Sequence, residues 1–149
     1  MATSDIGALD DTPKAVSALK SQIDKYIIAA LDEWGIHDMV PSHGDIIVSL
    51  IAQDGLAMRE LAARISRDPS TVTALVGKLE RGGYVRTETD ETDKRARRVW
   101  LTKRGRALKG AFIEISVEME ARLFSGFSAK ERRIFKQLLR TAESNMAME

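Results

Sequence analysis

Small and polar side chains occupy one face of a helix that the sequence predicts between Pro69 and about Arg81. The helix is expected to begin there because Asp68 is a favoured N-cap residue and proline is favoured at the first helical position. The residues of this face, none of them acidic, are Ser70, Thr71, Thr73, Ala74, Gly77 and Lys78. Hydroxyl and ammonium groups can contact base edges and phosphates in the major groove of DNA. The alternative is an ordinary solvated helix face, which usually carries more Glu and Lys.

A run of basic residues follows this helix within one predicted hairpin. Gly82 and Gly83 are expected to end the helix because glycine readily adopts the positive φ of a C-terminal cap. Segments 84–89 and 99–101 are rich in β-forming residues and flank a charged loop, which predicts two short strands. The basic residues of the loop are Lys94, Arg95, Arg97 and Arg98. A cationic loop suits the minor groove, whose negative potential attracts arginine, although a basic run alone is more often a solvated loop.

Short flanking elements would hold these two groups of residues in place. Segment 59–66 has an apolar stripe that predicts a first short helix, and segment 56–58 is a candidate strand to pair with the hairpin. The helix after it has apolar residues at i, i+3, i+4 and i+7, which are Val72, Leu75, Val76 and Leu79. Upstream, Ser42 and Asp45 resemble a capping box that would begin another helix. This order of elements is a helix-turn-helix followed by a β-wing.

Two stretches of the chain resemble the helix pair and the wing of MarR-type transcriptional regulators, which are winged-helix DNA-binding proteins. The stretches are RELAARISRDPSTVTALVGKLERGGYV and DETDKRARRVWLTKRG. Asp93, Lys94 and Arg95 match the D-x-R pattern of the wing, and the resemblance extends over roughly the whole chain. It implies that Arg95 enters the minor groove and that Asp93 braces it. Many members have arginine where this chain has Ala74 and an acid where it has Gly77, so direct guanine reading from position 74 is absent.

The expected DNA contacts combine the helix face, the residue before it and the wing. Specificity would depend on hydroxyl groups, on the wing and on DNA shape. The alternative is a winged helix that binds a ligand or a protein without specific DNA recognition. The expected DNA-binding residues are Arg67, Ser70, Thr71, Thr73, Lys78, Asp93, Lys94, Arg95, Arg97 and Arg98.

The net charge of +1 conceals an uneven distribution. Residues 56–109 contain fourteen Lys and Arg against seven Asp and Glu, a net charge of +7. The remainder contains nine basic and fifteen acidic residues, a net charge of −6. A positive segment between acidic ends would direct phosphates to the proposed DNA-binding region.

The predicted fold is mainly α, an α+β winged helix with about six helices and a small β-hairpin. At 149 residues the chain is expected to be a single domain, with a DNA-binding lobe at 42–105. Segments 12–36 and 106–147 have wide apolar helix faces, and the resemblance implies that they interdigitate with a second copy in a homodimer. Such a dimer presents two recognition helices about 34 Å apart to a near-palindromic site. A monomer with a helical cap is the alternative.

Other kinds of chemistry find little support in the composition. The chain has no cysteine, which excludes disulfides and thiol redox sensing, and it has no run of about 18 apolar residues. The polar N-terminal sequence lacks the features of a signal peptide, so we expect a cytoplasmic protein without a cofactor. His37 and His43, with Asp38 and Asp45 nearby, offer a weak metal site for a small enzyme, but zinc usually needs three or four closely spaced ligands. We therefore expect no enzyme activity.

The resemblance also implies a site for a small aromatic or phenolic ligand between the helical and DNA-binding lobes. An apolar crevice with a few convergent polar groups is the usual form of such a site. The expected function is a homodimeric transcriptional repressor that such a ligand would release from DNA. The candidate ligand-binding residues are Tyr26, Trp34, His37, His43, Met58 and Arg59.

Overall fold

The computed structural model describes residues 10–148, so most of the polar N-terminal sequence, which was expected not to be a signal peptide, lies outside the described residues. In that range it has six helices of eight or more residues, one helix of four residues and three short strands. This mainly helical α+β architecture confirms the predicted fold class. No helix in residues 10–148 combines the length and apolar composition needed to cross a membrane. The elements are α1 (Thr12–Glu33), α2 (Pro41–Ala52), β1 (Leu56–Ala57), α3 (Met58–Ile65), α4 (Pro69–Arg81), β2 (Val85–Thr89), β3 (Arg97–Leu101), α5 (Lys103–Arg106), α6 (Lys109–Leu123) and α7 (Ala129–Met146).

The three strands form one antiparallel sheet in the order β1-β3-β2. Val85 pairs with Leu101 at one end of the β2–β3 hairpin, and Thr89 pairs with Arg97 at the other. The short strand β1 adds to the opposite edge of β3, where Leu56 pairs with Val99. The predicted hairpin and the predicted first strand are therefore both present, and the hairpin fixes the base of loop 90–96.

A shared apolar core holds the sheet and the helices that precede it. The described chain divides into two compact units after Ile115, within α6, and this core belongs to the first unit. Removing apolar surface from water contributes about 25 cal/mol per Å². One buried face therefore fixes α4 in place and leaves its other face to solvent. The core side chains that are at most 2% exposed include Ile46, Ile47, Leu50, Leu61, Val72, Val76, Leu79, Val85 and Val99.

Helix α2 begins differently from the prediction. It starts at Pro41, and its side-chain cap comes from His43, whose Nδ1 accepts a hydrogen bond from the amide of Val40 at 3.0 Å. The predicted capping box of Ser42 and Asp45 is therefore wrong. Proline at the first helical position has its φ already set for a helix, which moves the helix start ahead of Ser42.

The second unit, from Ser116 onward, is organised around three aromatic rings. Phe124, Phe127 and Phe135 meet edge to face, with ring centroids 5.4 to 5.8 Å apart. Beside them Glu120 accepts a hydrogen bond from Lys136 at 2.9 Å. These contacts join the end of α6 to the start of α7, but none of the residues of α7 is buried in the single chain.

Candidate nucleic-acid interface

Helix α4 presents its predicted polar face to solvent. Its predicted bounds are confirmed, with Asp68 as N-cap and Gly83 at a φ of +79° behind the last turn. Its apolar face is buried, whereas the polar face carries no acidic residue between Pro69 and Gly77. Hydroxyl groups and one ammonium group are thus available to a docked macromolecule. The exposed members of the face are Ser70, Thr73, Ala74 and Lys78, and Thr71 and Gly77 are half-buried.

The carboxylate of Asp68 gathers three hydrogen bonds at the start of α4. It accepts from the amide of Thr71 at 3.1 Å, from Thr71 Oγ1 at 2.7 Å and from Ser70 Oγ. The hydroxyl groups, Ser70 first, hold the pKa of Asp68 well below its usual range. Asp68 is therefore ionised at neutral pH and caps the helix as a charged acceptor, which the positive end of the helix favours.

Thr73 and Lys78 occupy the same face one and two turns further along. Thr73 Oγ1 donates to the carbonyl of Pro69 at 2.9 Å, so its hydroxyl hydrogen is used within the helix. The ammonium group of Lys78 has no hydrogen-bond or ion-pair partner among residues 10–148. Lys78 is thus the cation on this face that is free to meet a phosphate or a base edge.

Arg67 lies in the turn between α3 and α4 and faces the start of α2. Its Nη2 donates to Ser42 Oγ at 3.3 Å, and both side chains remain accessible to solvent. The contact ties the turn of the helix-turn-helix to α2. The predicted DNA contact of Arg67 stays a prediction. A phosphate bound there would compete with Ser42 for the guanidinium group.

The wing tip, defined as Lys94 and Arg95, projects two unpaired cations. Neither side chain has a hydrogen-bond or ion-pair partner among the described residues. Asp93 Oδ1 accepts from the backbone amide of Arg95 at 3.0 Å, and the Asp93 carbonyl accepts from Ala96 at 2.9 Å. Asp93 therefore shapes the turn that carries Arg95, where the resemblance implied that it would brace the side chain itself.

The wing base, defined as Arg97 and Arg98, has its guanidinium groups engaged within the fold. Arg97 donates to Thr87 Oγ1 across the hairpin. Arg98 donates to Asp90 Oδ2 at 2.9 Å and to the carbonyl of Gly55 at 2.8 Å, which joins the wing to the turn before β1. The backbone and side chain of Thr92, and to a smaller extent Arg98, lower the pKa of Asp90. DNA contact by these two arginines stays a prediction, and a stabilising role is what their geometry provides.

Three successive backbone carbonyls tie the end of α4 to the segment after β3. We call this contact between residues 82–84 and residues 102–105 the joint. Arg104 donates to the carbonyl of Gly82 and Thr102 Oγ1 donates to that of Gly83. The amide of Thr102 donates to the carbonyl of Tyr84 at 3.0 Å. Gly105 passes so close that an added Cβ would lie 2.1 Å from the same Tyr84 oxygen. The joint therefore fixes where α4 ends relative to the wing.

The side chain of Tyr84 extends the joint to the segment between α1 and α2. Its hydroxyl donates to the carboxylate of Asp38 at 3.0 Å, and Arg104 lies 4.3 Å over its ring. Burial, and next the hydrogen bond to Asp38, raises the pKa of Tyr84. The hydroxyl thus stays protonated and donates to Asp38 at neutral pH. Sequence reasoning missed this contact because 46 residues separate its two partners.

A crevice of about 380 Å³ lies along the end of α1 and the segment that follows it. Of the six predicted ligand-binding residues, His37 lines it, and His37 Nδ1 lies 2.7 Å from Asp32 Oδ1. Four of the residues that line the crevice lie on one face of α1 at i, i+3, i+4 and i+7, a spacing that is visible in the sequence. The lining residues are Lys25, Ile28, Ala29, Asp32, Ile36, His37 and Met39.

The other predicted ligand-binding residues lie elsewhere. His43 is 2% exposed in the core, and its Nε2 has no hydrogen-bond partner among residues 10–148. Trp34 is 49% exposed at the end of α1, Tyr26 and Met58 are half-buried, and Arg59 is exposed on α3. The structure does not bring these five side chains together around the crevice, so a ligand contact from any of them stays a prediction.

Metal chemistry at the two histidines has no structural support. His43 is enclosed in the core while His37 is exposed and paired with Asp32. Within residues 10–148, no group of three or more His, Asp or Glu side chains is placed to hold a metal ion.

Comparison with known proteins agrees with this arrangement of helices and wing. The model of the MarR family matches residues 37–96, from the segment between α1 and α2 to the end of loop 90–96. A MarR transcriptional regulator from Methanosarcina mazei has a similar structure, with a TM-score of 0.76 and 28% identity over 91% of this chain and 96% of that one. These two matches confirm the resemblance to MarR-type regulators that the sequence shows.

Two curated transcriptional regulators each match half of the chain or more. Identity is 34% over 74 residues with the HTH-type transcriptional regulator TtmR of Methylorubrum extorquens, covering 50% of this chain. It is 36% over 90 residues with the HTH-type transcriptional regulator SarZ of Staphylococcus aureus, covering 60% of this chain. The match spans 38% of TtmR and 58% of SarZ. These relatives are named as transcriptional regulators rather than enzymes, in agreement with the expectation from the sequence.

Proposed function

We propose that this chain is a MarR-family, sequence-specific DNA-binding transcriptional regulator. The observation that carries the proposal is the pairing of two exposed cationic features on one winged helix. The polar face of α4 ends in the unpaired ammonium of Lys78, and the wing tip projects Lys94 and Arg95 without partners among the described residues. Recognition helices enter the major groove and wing arginines suit the minor groove. The net charge of +7 on residues 56–109 supports the same binding mode.

The regulator acts as a homodimer on a near-palindromic site. Helix α7 exposes large apolar side chains: Ile134 is 43% exposed, Leu138 62% and Leu139 47%. Apolar residues at i, i+4 and i+5 form a stripe that a partner helix would cover. On α1, Val16 and Leu19 are exposed in the same way. Two-fold symmetry then places two copies of α4 about one turn of DNA apart, and occupation of a promoter makes the protein a repressor.

The crevice beside α1 is the proposed site for a small aromatic or phenolic acid. Ile28, Ile36 and Met39 supply apolar lining, and Lys25 supplies a cation for a carboxylate. His37 and Asp32 add a polar pair on the same lining. A ligand there releases DNA only if it binds the DNA-free geometry more tightly than the DNA-bound one.

A winged helix without specific DNA recognition is the second candidate. It is favoured by Ala74 and Gly77, which supply no side-chain donor or acceptor at the centre of the exposed face. Such a protein would bind duplexes through charge alone and would show the same affinity for every sequence.

Selection of duplexes from a randomised pool separates the two candidates. The proposed regulator enriches a motif with two related half-sites, and the complex contains two protein chains by light scattering. A pool that stays random after several rounds supports the second candidate instead. Enrichment of a single half-site by one chain would contradict the homodimer.

A further inference from the structure

Three hydroxyl groups on the DNA-facing surface of α4 are oriented by internal hydrogen bonds. Ser70 Oγ and Thr71 Oγ1 donate to the two carboxylate oxygens of Asp68, and Thr73 Oγ1 donates to the carbonyl of Pro69. We infer that α4 reads base edges through hydroxyl oxygens that act as acceptors. At the positions that face Ser70 and Thr73 it therefore prefers the amino bases adenine and cytosine over the keto bases guanine and thymine. The inference rests on the proposed function.

The direction of each hydrogen bond is fixed by the chemistry of its acceptor. A carboxylate can donate only when protonated, and the pKa of Asp68 lies far below neutrality because the hydroxyl groups and the Thr71 amide stabilise its charged form. A backbone carbonyl such as that of Pro69 can never donate. Ser70, Thr71 and Thr73 must therefore be the donors in these contacts.

A hydroxyl group has a single hydrogen, so donation inside the helix leaves only lone pairs for an outside partner. Ser70 and Thr73 are exposed and lie three residues apart on one face, where both oxygens can meet the groove. Turning a hydroxyl outward to donate would remove a hydrogen bond from Asp68 or Pro69. Loss of a bond to the charged Asp68 is the more costly of the two.

The major groove offers few groups that can donate to such an oxygen. The exocyclic amines of adenine and cytosine are donors, whereas guanine and thymine present acceptors and, for thymine, a methyl group. An acceptor placed against another acceptor leaves both unsatisfied. Besides the hydroxyl residues, the polar face of α4 carries Ala74, which cannot hydrogen-bond, and Lys78, whose ammonium group can donate to a keto base.

The test uses duplexes that the wild-type protein selects from a randomised pool. Thr73→Val and Ser70→Ala each remove one hydroxyl and identify the base position that it faces. The ratio of affinities for the amino and the keto base is then measured at each position. We expect wild-type ratios of at least about fivefold, as single base contacts commonly give, and a ratio near one in the matching variant.

Asp68→Asn is the decisive variant because it weakens the hold on the Ser70 hydroxyl without removing the cap. Asparagine caps helices about as well as aspartate, with its oxygen accepting from the Thr71 amide and its amide group facing Thr71 Oγ1. Because asparagine is neutral, Ser70 loses a charged acceptor and its hydroxyl hydrogen can turn towards the groove. We expect the amino preference at the Ser70 position to fall at least about threefold or to reverse. The preference at the Thr73 position should persist, because Thr73 is tied to Pro69.

Glu131→Gln is the matched control. Glu131 belongs to the capping box at the start of α7, so the variant makes the same change from acid to amide at a helix start outside the DNA-binding lobe. Its base preferences should equal those of the wild type.

The outcomes separate the inference from the proposed function. Keto bases selected opposite Ser70 and Thr73 overturn the inference, as does an Asp68→Asn variant with wild-type ratios at both positions. Enriched motifs that none of these variants alters also overturn it, while the proposed function stands. If no motif is enriched at all, the proposed function fails and the inference fails with it.

Discussion

The wing tip and the wing base contain basic residues from one short run, but their surroundings differ. Lys94 and Arg95 at the tip contact no acid or carbonyl among the described residues, whereas Arg98 at the base holds Asp90 and the carbonyl of Gly55. The joint behind α4 resembles the base, since each of its three carbonyls has a donor. Residue type alone therefore does not separate cations that stabilise the fold from cations that are free to bind. The difference lies in whether an acceptor on a neighbouring strand, loop or turn is within reach.

The joint should show the largest effect on stability. Gly105→Ala places a Cβ 2.1 Å from the Tyr84 carbonyl oxygen, so the backbone must shift, and the free energy of unfolding should fall by about 3 kcal/mol. Gly110→Ala is the matched control, because nothing lies within 4 Å of its added Cβ in α6. Urea denaturation followed by circular dichroism measures both. A Gly105→Ala protein as stable as the Gly110→Ala protein would contradict the close approach at the joint.

At the wing base, removal of Arg98 should mainly lower the stability of the fold. Its effect through the charge of the proposed DNA-binding surface should be smaller. Arg98→Ala removes the hydrogen bonds to Asp90 and Gly55, and we expect the free energy of unfolding to fall by about 2 kcal/mol. Chemical denaturation gives this value. A free energy of unfolding within about 0.5 kcal/mol of the wild-type value would show that Arg98, like the wing-tip residues, does not stabilise the fold.

At the wing tip, removal of Arg95 should weaken DNA binding without changing the stability of the protein. Arg95→Ala is expected to weaken binding to a selected duplex by at least about 1 kcal/mol, while the oligomeric state and the thermal midpoint of the protein stay unchanged. Anisotropy titration and size-exclusion chromatography are the two measurements. Equal affinity of variant and wild type would refute the role assigned to the wing tip.

Lys94 should contribute a smaller effect that does not depend on sequence. If its ammonium neutralises one phosphate per chain, Lys94→Ala lowers the slope of log K against log salt by about 0.9 for each phosphate that is no longer neutralised. Affinity for selected and scrambled duplexes should fall by the same factor. A change in preference between the two duplexes would show that Lys94 reads bases.

The smallest effect concerns the pH dependence of stability. Burial, and next the charge of Lys78, lowers the pKa of His43 below its ordinary 6.5, with Asp38 acting in the opposite direction. The unfolded chain therefore binds a proton that the folded chain resists, so stability is lost as pH falls below about 6.5. His43→Gln should flatten this dependence, and His37→Gln, at the exposed histidine, is the control. Parallel curves for the wild type and His43→Gln between pH 7 and 5 would contradict the burial of a neutral imidazole.

Local signals in the sequence predicted the elements that carry the interface. Asp68 and Pro69 start α4 and the Gly82–Gly83 pair ends it, because capping depends on neighbours within a few residues. The β2–β3 hairpin followed from two short apolar segments around a charged loop. These features needed no knowledge of the tertiary structure.

Contacts between distant segments could not be predicted in the same way. The partners of Arg98 are Asp90 in the same hairpin and Gly55, 43 residues away. His43 was a candidate for the ligand site that the family resemblance implies, but it is enclosed once α2 packs against the core. Lys25 and Asp32 share one face of α1 by their spacing, but the crevice that they line also needs residues from the segment after α1, whose position the sequence did not predict.

Binding to the duplex upstream of the protein's own gene tests the central claim most directly. Affinity would be measured against a scrambled duplex of the same composition at two salt concentrations. The proposed regulator binds the natural duplex much more tightly than the scrambled one and loses affinity steeply with salt, as a dimer with several phosphate contacts must. Equally weak binding to both duplexes would contradict specific recognition and leave a winged helix that binds through charge alone.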